Sequence, residues 1–361
     1  MELYYKPLGY FCFLFLGFLK KAASKPRPSI AMTIKKRVLM ILAIFFSVGI
    51  VVFLSGPRIE IETKLYPLNL PADLNEYITQ SEAQYSNIVP GTEKSIVWAN
   101  TSKKQKTKYA IVFIHGFSAT RQEIAPVCDV LAEKIEANLF YTRLRGHGRD
   151  VEAMSSATAN EWMNDIVEAL AIAKRLGEKV IFIGNSTGAT LAVWAAMHAN
   201  LRDGIYGLVL ISPNFYPANP IVGVMRLPWG LQIGRAIIGD YREWEPRNAL
   251  EEKYWTYRYR IEVFYSMMGL VDIVDHLDLS EMKIPVLVIH SDRDQVISVE
   301  KLKERYQEIG SKIKRRVTVN NTQDEWGHIL AGDVLSPKTT GIVVTQIMDF
   351  FKLNPPKADE G

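Results

Sequence analysis

The chain has 361 residues, 48% of them hydrophobic and 23% charged, which is the composition of a globular protein with one large domain of roughly 250–300 residues and smaller appendages. The net charge of +4 is unevenly placed, because residues 1–56 carry a net charge of +7 and the rest of the chain carries −3. A nucleic-acid-binding surface on the main domain is therefore not expected. Cys12 and Cys128 lie in different contexts, so a structural disulfide is not expected either.

An apolar segment near the N-terminus indicates a membrane anchor. Seventeen uncharged residues at 38–54 follow the basic cluster at 35–37. As a helix they span about 26 Å, which is at the low end of the length needed to cross the hydrocarbon core of a bilayer. We predict an uncleaved transmembrane signal anchor, with the basic cluster cytoplasmic and the main domain on the non-cytoplasmic side. The alternatives are a cleaved signal peptide, disfavoured by the bulky Phe53 and Leu54, and a buried helix of a soluble domain.

Residues 1–37 form a basic N-terminal arm with a second apolar run at 8–19. Twelve residues are too few to span a bilayer comfortably. Met32 directly precedes the basic cluster and would make a normal start for a signal anchor. We therefore predict that translation begins at Met32 and that residues 1–31 are a misassigned extension, which the intact mass of the native protein would test.

The main domain is predicted from strands that alternate with amphipathic helices. Residues 55–93 are interpreted as a linker and domain edge, with a short helix at about 72–83, and residues 353–361 as a disordered tail. The domain at 94–352 should hold a mostly parallel sheet covered by helices on both faces. Strands are predicted at 95–99, 109–114, 138–142, 180–183, 207–211, 286–290 and 316–319, and helices at 125–135, 159–176, 187–198, 299–309 and 340–351.

An aromatic-rich insertion interrupts this alternation at about 216–282. It separates two predicted strands by far more than an ordinary crossover connection. Its many Trp, Tyr and Phe residues fit two interpretations. They form either the small core of a helical cap or a lid over an apolar pocket.

The most specific motif is the pentapeptide at 184–188, Gly-Asn-Ser-Thr-Gly, which lies between a predicted strand and a predicted helix. A G-x-S-x-G sequence in that context predicts a nucleophile elbow, in which a strained turn exposes the serine hydroxyl. Side chains at Gly184 and Gly188 are expected to collide across the turn. Ser186 is therefore the candidate nucleophile.

A serine nucleophile needs a base and an acid that orients the base. The loop after the strand at 286–290 offers Asp294 as the acid and Asp292 as its substitute, and Asp324 is a third candidate. His328 is the candidate base, because it follows the last strand in a loop while the other five histidines belong to turns, helices, a strand or the insertion. The order Ser, Asp, His is that of α/β-type sheets.

The turn at His115-Gly116 follows a buried strand and predicts an oxyanion hole. A glycine there lets the chain turn so that a backbone N–H points to the elbow. The expected donors are the N–H groups of Phe117 and Thr187. The alternative interpretation is a simple strand-ending turn.

These motifs together resemble the α/β-hydrolase family, most closely the branch of monoacylglycerol lipases, lysophospholipases and serine aminopeptidases. The resemblance covers about residues 95–352 and leaves residues 1–90 outside. It implies a Ser186–Asp294–His328 triad, a cap within 216–282 over an acyl pocket, and no metal or organic cofactor. Asn185 in the elbow and Ser291 in the acid turn depart from many relatives and weaken any assignment to a subfamily. The matching motifs are His115-Gly116-Phe117, Arg145-Gly146-His147-Gly148, 184–188, Ser291-Asp292-Arg293-Asp294 and Gly327-His328.

The predicted function is a membrane-anchored serine hydrolase that cleaves carboxylic esters, of a lipid type such as lysophospholipids or monoacylglycerols. The anchor and the apolar insertion favour a lipid substrate. Two alternatives stay open. One is a peptidase, thioesterase or perhydrolase with the same triad, and the other is a non-catalytic protein of the same fold that binds a partner or lipid.

Overall fold

The computed structural model describes residues 34–353. The apolar run at 8–19, the predicted start at Met32 and the tail after residue 353 fall outside the described residues. The described chain divides into two compact units, one ending at Ser55 and the other beginning at Gly56.

The first unit contains a single described helix, α1 (Ile34–Leu54), whose side chains are all exposed. Its 21 residues have a mean hydropathy of 2.7 over an 18-residue window, which makes it a candidate membrane span by length and composition only. The helix includes the basic cluster at 35–37 in its first turn, so it is longer than the uncharged run and extends for about 31 Å.

A seven-stranded sheet forms the centre of the second unit, in the order β1-β3-β2-β4-β5-β8-β9. The edge strand β1 pairs antiparallel with β3, and the other neighbours pair in parallel. Each predicted strand is present within a few residues of its expected bounds. The strands are β1 (Ser95–Val97), β2 (Thr107–Ile114), β3 (Asn138–Tyr141), β4 (Gly177–Asn185), β5 (Gly207–Ile211), β8 (Val286–His290) and β9 (Lys314–Thr318).

Two hydrophobic cores lie on the two faces of this sheet, because successive strand residues point to opposite sides. In β4, Val180 and Phe182 belong to one core, and Ile181 and Ile183 belong to the other. The first face is covered by α5 (Ala159–Leu176), α6 (Thr187–Met197) and the insertion helix α9 (Ile261–Asp275). The second face is covered by α3 (Val127–Lys134) and α11 (Thr340–Phe351). Within residues 56–353, the other α-helices outside the insertion are α2 (Leu74–Ala83), α4 (Val151–Ser156) and α10 (Val299–Glu308).

The first residues of the second unit, from Pro57 to Ile61, pack against the insertion of the same unit. The Trp229 N–H donates to the Pro57 carbonyl at 2.8 Å. A side chain at Gly269 in α9 would collide with Ile59 and Ile61, which shows how closely the segment follows that helix. Residues 57–61, which are interpreted from the sequence as part of the linker, are therefore in contact with the insertion.

The insertion between β5 and β8 has several short elements. It contains two 3₁₀ turns and three helices, and an antiparallel ribbon of β6 and β7 that the sequence did not predict. Strands of three residues are too short to produce a readable alternation of polar and apolar residues. The elements are Pro220–Arg226 (3₁₀), α7 (Gly230–Ile238), β6 (Tyr241–Glu243), α8 (Ala249–Tyr254), β7 (Arg258–Arg260), α9 and Leu279–Glu281 (3₁₀).

Candidate active site

Ser186 lies on a tight turn between β4 and α6. Its backbone is at φ 51° and ψ −117°, a strained conformation for a residue with a side chain. Its N–H donates to the Ile211 carbonyl of β5 at 2.9 Å, which ties the turn to the sheet. The side chain lines a cavity, and among the described residues its hydroxyl forms no hydrogen bond, to His328 or to any other group.

The reason for the two glycines of the turn differs in part from the expectation. A Cβ at Gly184 would lie 2.5 Å from the Gly188 carbonyl oxygen, which fits a collision across the turn. A Cβ at Gly188 would instead lie 2.0 Å from the Ile114 oxygen of β2. The neighbouring strand therefore requires the second glycine, and the expected collision between the two side chains stays a prediction for Gly188.

His328 and Asp294 are in direct contact. The His328 Nδ1 is 2.8 Å from Asp294 Oδ2, and both residues are buried. The other carboxylate oxygen, Oδ1, accepts the N–H groups of Val296 and Ile297 at 2.8 and 3.0 Å. The backbone of its own loop thus holds the carboxylate in place. The carboxylate contacts Nδ1 of His328, and Nε2 takes no part in this contact.

The electrostatic surroundings favour a protonated His328. Burial disfavours the charged imidazole, but the Asp294 carboxylate and its hydrogen bond more than offset this, and the pKa of His328 is raised above its ordinary value. The charges of Asp324 and Glu123 act in the same direction. A base in this position is a stronger proton acceptor than a free histidine.

The two other candidate acids lie elsewhere. Asp292 is exposed, and its Oδ1 forms an ion pair with Lys303 at 2.6 Å. Asp324 contacts His328 through the backbone only, since its Oδ2 accepts the N–H groups of His328 and Ile329 at 2.7 and 2.8 Å. Of the three aspartates, only Asp294 hydrogen-bonds to the imidazole.

The predicted oxyanion donors lie on the same cavity as Ser186. Phe117 and Thr187 both line it, and within residues 34–353 neither backbone N–H donates to an acceptor of the protein. The Gly116 N–H, by contrast, donates to Glu123 Oε2 at 2.7 Å. Glu123 is buried, and burial raises its pKa to about 7.

The histidines of the two glycine turns have structural roles. His115 is fully buried, its Nε2 accepts the Leu144 N–H at 3.0 Å, and burial lowers its pKa to about 4. The ring of His147 packs against it at an interplanar angle of 54°, with ring centroids 4.9 Å apart. Burial also lowers the pKa of His147 well below its ordinary value. Both rings are therefore neutral at physiological pH.

A cavity of about 400 Å³ joins these groups to the insertion. Ser186, His328 and the oxyanion loop form one side of it. The insertion contributes an apolar wall that includes Val222, Phe264 and Met267. Within residues 34–353, no group of three or more His, Cys, Asp or Glu residues has an arrangement able to hold a metal ion.

Sequence reasoning missed four charged residues that line this cavity, namely Glu123, Arg242, Arg247 and Glu251. Glu123 had no signal beyond its place eight residues after the strand-ending His115. Arg247 forms ion pairs with Glu251 and Asp324, but it lies in an irregular part of the insertion, where no motif marks it. The sequence offers Asp324 only as a candidate acid and gives no sign of its contacts with Arg247 and with the backbone of the histidine loop.

Comparisons with known proteins agree with this architecture. The model of a family described as serine aminopeptidase S33 matches residues 105–323. The thermostable monoacylglycerol lipase of Bacillus sp. strain H-257 is 23% identical over 250 residues, covering 67% of this chain and 89% of the lipase.

Solved structures give the same fold. The structure reported for the metagenome-derived lipolytic enzymes LipS and LipT has a TM-score of 0.56 at 20% identity, covering 73% of this chain and 99% of that one. The monoacylglycerol lipase of Paleococcus ferrophilus has a TM-score of 0.53 at 17% identity, covering 71% of this chain and 96% of that one. The chain belongs to the serine aminopeptidase S33 family, and it is a serine hydrolase with the α/β-hydrolase fold.

Proposed function

We propose that this protein is a membrane-anchored serine esterase that cleaves lipid-type carboxylic esters, with Ser186, His328 and Asp294 as its catalytic triad. The observation that carries the proposal is the 2.8 Å contact between His328 Nδ1 and Asp294 Oδ2, beside a cavity that Ser186 also lines. The contact assigns the proton to Nδ1, so Nε2 is the nitrogen that accepts a proton from the serine.

The reaction would proceed through an acyl-enzyme. As Ser186 Oγ attacks the ester carbonyl, its proton passes to His328 Nε2, and the tetrahedral oxyanion accepts the N–H groups of Phe117 and Thr187. Collapse of this intermediate breaks the ester C–O bond, and the imidazolium protonates the leaving alcohol. Water then gives a proton to the same nitrogen as its oxygen attacks the acyl carbon. Collapse of the second tetrahedral intermediate breaks the bond to Ser186 Oγ, which takes that proton back from the imidazolium as the acid is released.

Substrate class is proposed from the cavity and the relatives. The insertion supplies an apolar part of the wall at Val222, Phe264 and Met267, and a volume of about 400 Å³ is within the range of small-molecule sites. The similar proteins include enzymes named as monoacylglycerol lipases and lipolytic enzymes. Both features support an acyl chain as the part of the substrate that occupies this wall.

Membrane attachment is proposed from α1. A helix of 21 residues with mean hydropathy 2.7 has the length that a bilayer requires. Lys35, Lys36 and Arg37 at its N-terminal end favour an orientation that leaves the catalytic domain outside the cytoplasm. Resistance to alkaline carbonate extraction, together with digestion of the domain by external protease on intact cells, would support this topology. A domain protected from the protease until the cells are opened would contradict the orientation.

The test of the catalytic proposal is covalent labelling. A fluorophosphonate probe should label the full chain in detergent at Ser186, and Ser186→Ala should abolish both the labelling and the hydrolysis of p-nitrophenyl esters. A folded wild-type protein that does not react with the probe would contradict catalysis by Ser186 and favour a binding role.

A substrate panel then separates the ester hydrolase from the other reactions of such a triad. Monoacylglycerols, lysophospholipids, thioesters and aminoacyl amides should be compared under the same conditions. We expect the highest kcat/KM for an oxygen ester with a long acyl chain. A preference for acetate or for amides would contradict the lipid proposal.

A further inference from the structure

One part of the insertion, residues 244–256, contacts both loops that carry the proposed catalytic groups. The Thr256 N–H donates to the Ser118 carbonyl of the oxyanion loop at 2.7 Å. The Asn248 side chain donates to the Val334 carbonyl at 3.1 Å, just after the histidine loop. We call this stretch the bridging segment.

An apolar cluster reinforces the same arrangement. Trp255 of the bridging segment is buried against Ala119, Ile329 and Leu335. Ala119 follows the oxyanion loop, and Ile329 is the neighbour of His328. The bridging segment therefore packs on both sides of the site.

The polar centre of the bridging segment is Arg247. Its guanidinium binds Glu251, with Nε 3.0 Å from Oε2, and forms an ion pair with Asp324. The side chains of Glu251 and Asp324 are only 1% and 0% exposed, so both carboxylates depend on this one cation in a buried setting. The guanidinium also lies over the Trp326 ring, 4.4 Å from its centroid.

Asp324 connects Arg247 to the backbone of the proposed base, His328. One of its oxygens is held by Arg247, while the other accepts the N–H groups of His328 and Ile329. A single carboxylate thus connects a cation of the insertion to the backbone of the histidine. Loss of the cation would leave two buried carboxylates without a charge partner, and Asp324 would have to move or recruit water, which releases the loop.

We infer that Arg247 is a positioning residue, which acts through Asp324 to hold His328 in place for proton transfer from Ser186. The inference rests on the proposed function, since it takes His328 to be the base. According to this inference, the position of His328 depends on the packing of the bridging segment.

The test compares Arg247→Met with wild type as full chains in detergent, using p-nitrophenyl acetate. This substrate is too small to depend on the distal cavity, so misplacement of the base should appear in kcat. We expect kcat to fall about 10- to 100-fold, as for small displacements of catalytic groups. KM should change by less than about twofold, because ground-state binding is retained.

Two matched variants separate positioning from general stability. Arg247→Lys keeps the charge but not the planar, bidentate geometry, so it should recover part of kcat. Arg258→Met removes another insertion arginine, whose ion pair with Glu243 is exposed, and should leave kcat at the wild-type level.

A folded Arg247→Met with wild-type kcat, or with a change in KM alone, would overturn the inference. If Arg247→Met does not fold, Asp324→Asn decides, because the positioning role requires a loss of kcat at unchanged KM there too, and wild-type kcat overturns it. Failure of the proposed function is distinguishable, since it would appear as an absence of fluorophosphonate labelling in the wild type.

Discussion

The sheet and the insertion contribute to the site in different ways. The sheet presents Ser186 and Asp294 at the carboxyl ends of β4 and β8, positions that follow from strand periodicity and topology. The insertion contributes Arg247 and Trp255 from irregular segments beside the cavity. The comparison teaches that candidate catalytic groups can be located by regular structure, whereas the contacts that the insertion makes around them come from long-range packing.

The largest expected effect concerns the sheet side. Asp294→Asn should lower kcat about 10⁴-fold, because an amide N–H₂ facing Nδ1 stabilises the wrong histidine tautomer. Asp292→Asn is the matched control in the same loop, and it should retain wild-type kcat since Asp292 contacts Lys303 at the surface. Equal losses in both variants would contradict the choice of acid.

The same pair of variants has a pH signature. As the proposed base, His328 must be neutral to accept a proton, so we expect activity to be lost as the pH falls through its pKa. Since that pKa is raised by Asp294, the acidic limb of kcat/KM should have its midpoint above about pH 6.5 in the wild type. Asp294→Asn should move the midpoint to lower pH, and an unchanged midpoint would mean that another group titrates.

The contrast between the two regions also explains what the sequence reveals. The seven strands and the elbow could be predicted, because apolar runs between amphipathic helices and the turn at 184–188 are local signals. The approach of His328 to Asp294 could be expected only from chain order and the resemblance, since 34 residues separate them. The link from Arg247 to Asp324 crosses 77 residues, and the position of Arg247 has no periodic pattern around it.

Glu123 is a buried carboxyl group close to Ser186, and its titration should affect the stability of the protein. Burial raises its pKa to about 7, so the carboxyl contributes stability below the unfolded value and loses it as the pH rises through 7. Glu123→Gln keeps an acceptor for the Gly116 N–H without the titration. At pH 8 we expect it to increase the free energy of unfolding by about 3 kcal/mol relative to wild type.

The difference between Glu123→Gln and wild type should fall to about 1 kcal/mol at pH 5, because the glutamate is then protonated in the native state and only partly ionised in the unfolded chain. Chemical denaturation at the two pH values would measure it. A gain of the same size at both values would assign the effect to packing.

Gly188 tests the close contact between the elbow and β2. A Cβ at this position would lie 2.0 Å from the Ile114 oxygen, so Gly188→Ala must displace backbone. We expect a loss of about 1–3 kcal/mol in the free energy of unfolding, with a loss of kcat as Ser186 shifts. Gly341→Ala in α11 is the control, because no atom lies within 4 Å of its Cβ position. A neutral Gly188→Ala would show that β2 adjusts freely.

The smallest effect concerns the apolar wall of the insertion. Val222 is buried and lines the cavity, so Val222→Phe should shorten the space for an acyl chain. Excluding about two methylenes costs about 1.6 kcal/mol, which corresponds to roughly a tenfold rise in KM for p-nitrophenyl decanoate. The KM for the acetate ester should stay unchanged, and Ile221→Phe, at a neighbouring position that is 51% exposed, should leave both values unchanged. If Val222→Phe raises the two KM values equally, Val222 lies near the ester and not along the acyl chain. The insertion would then limit access to the site without selecting substrates by acyl-chain length.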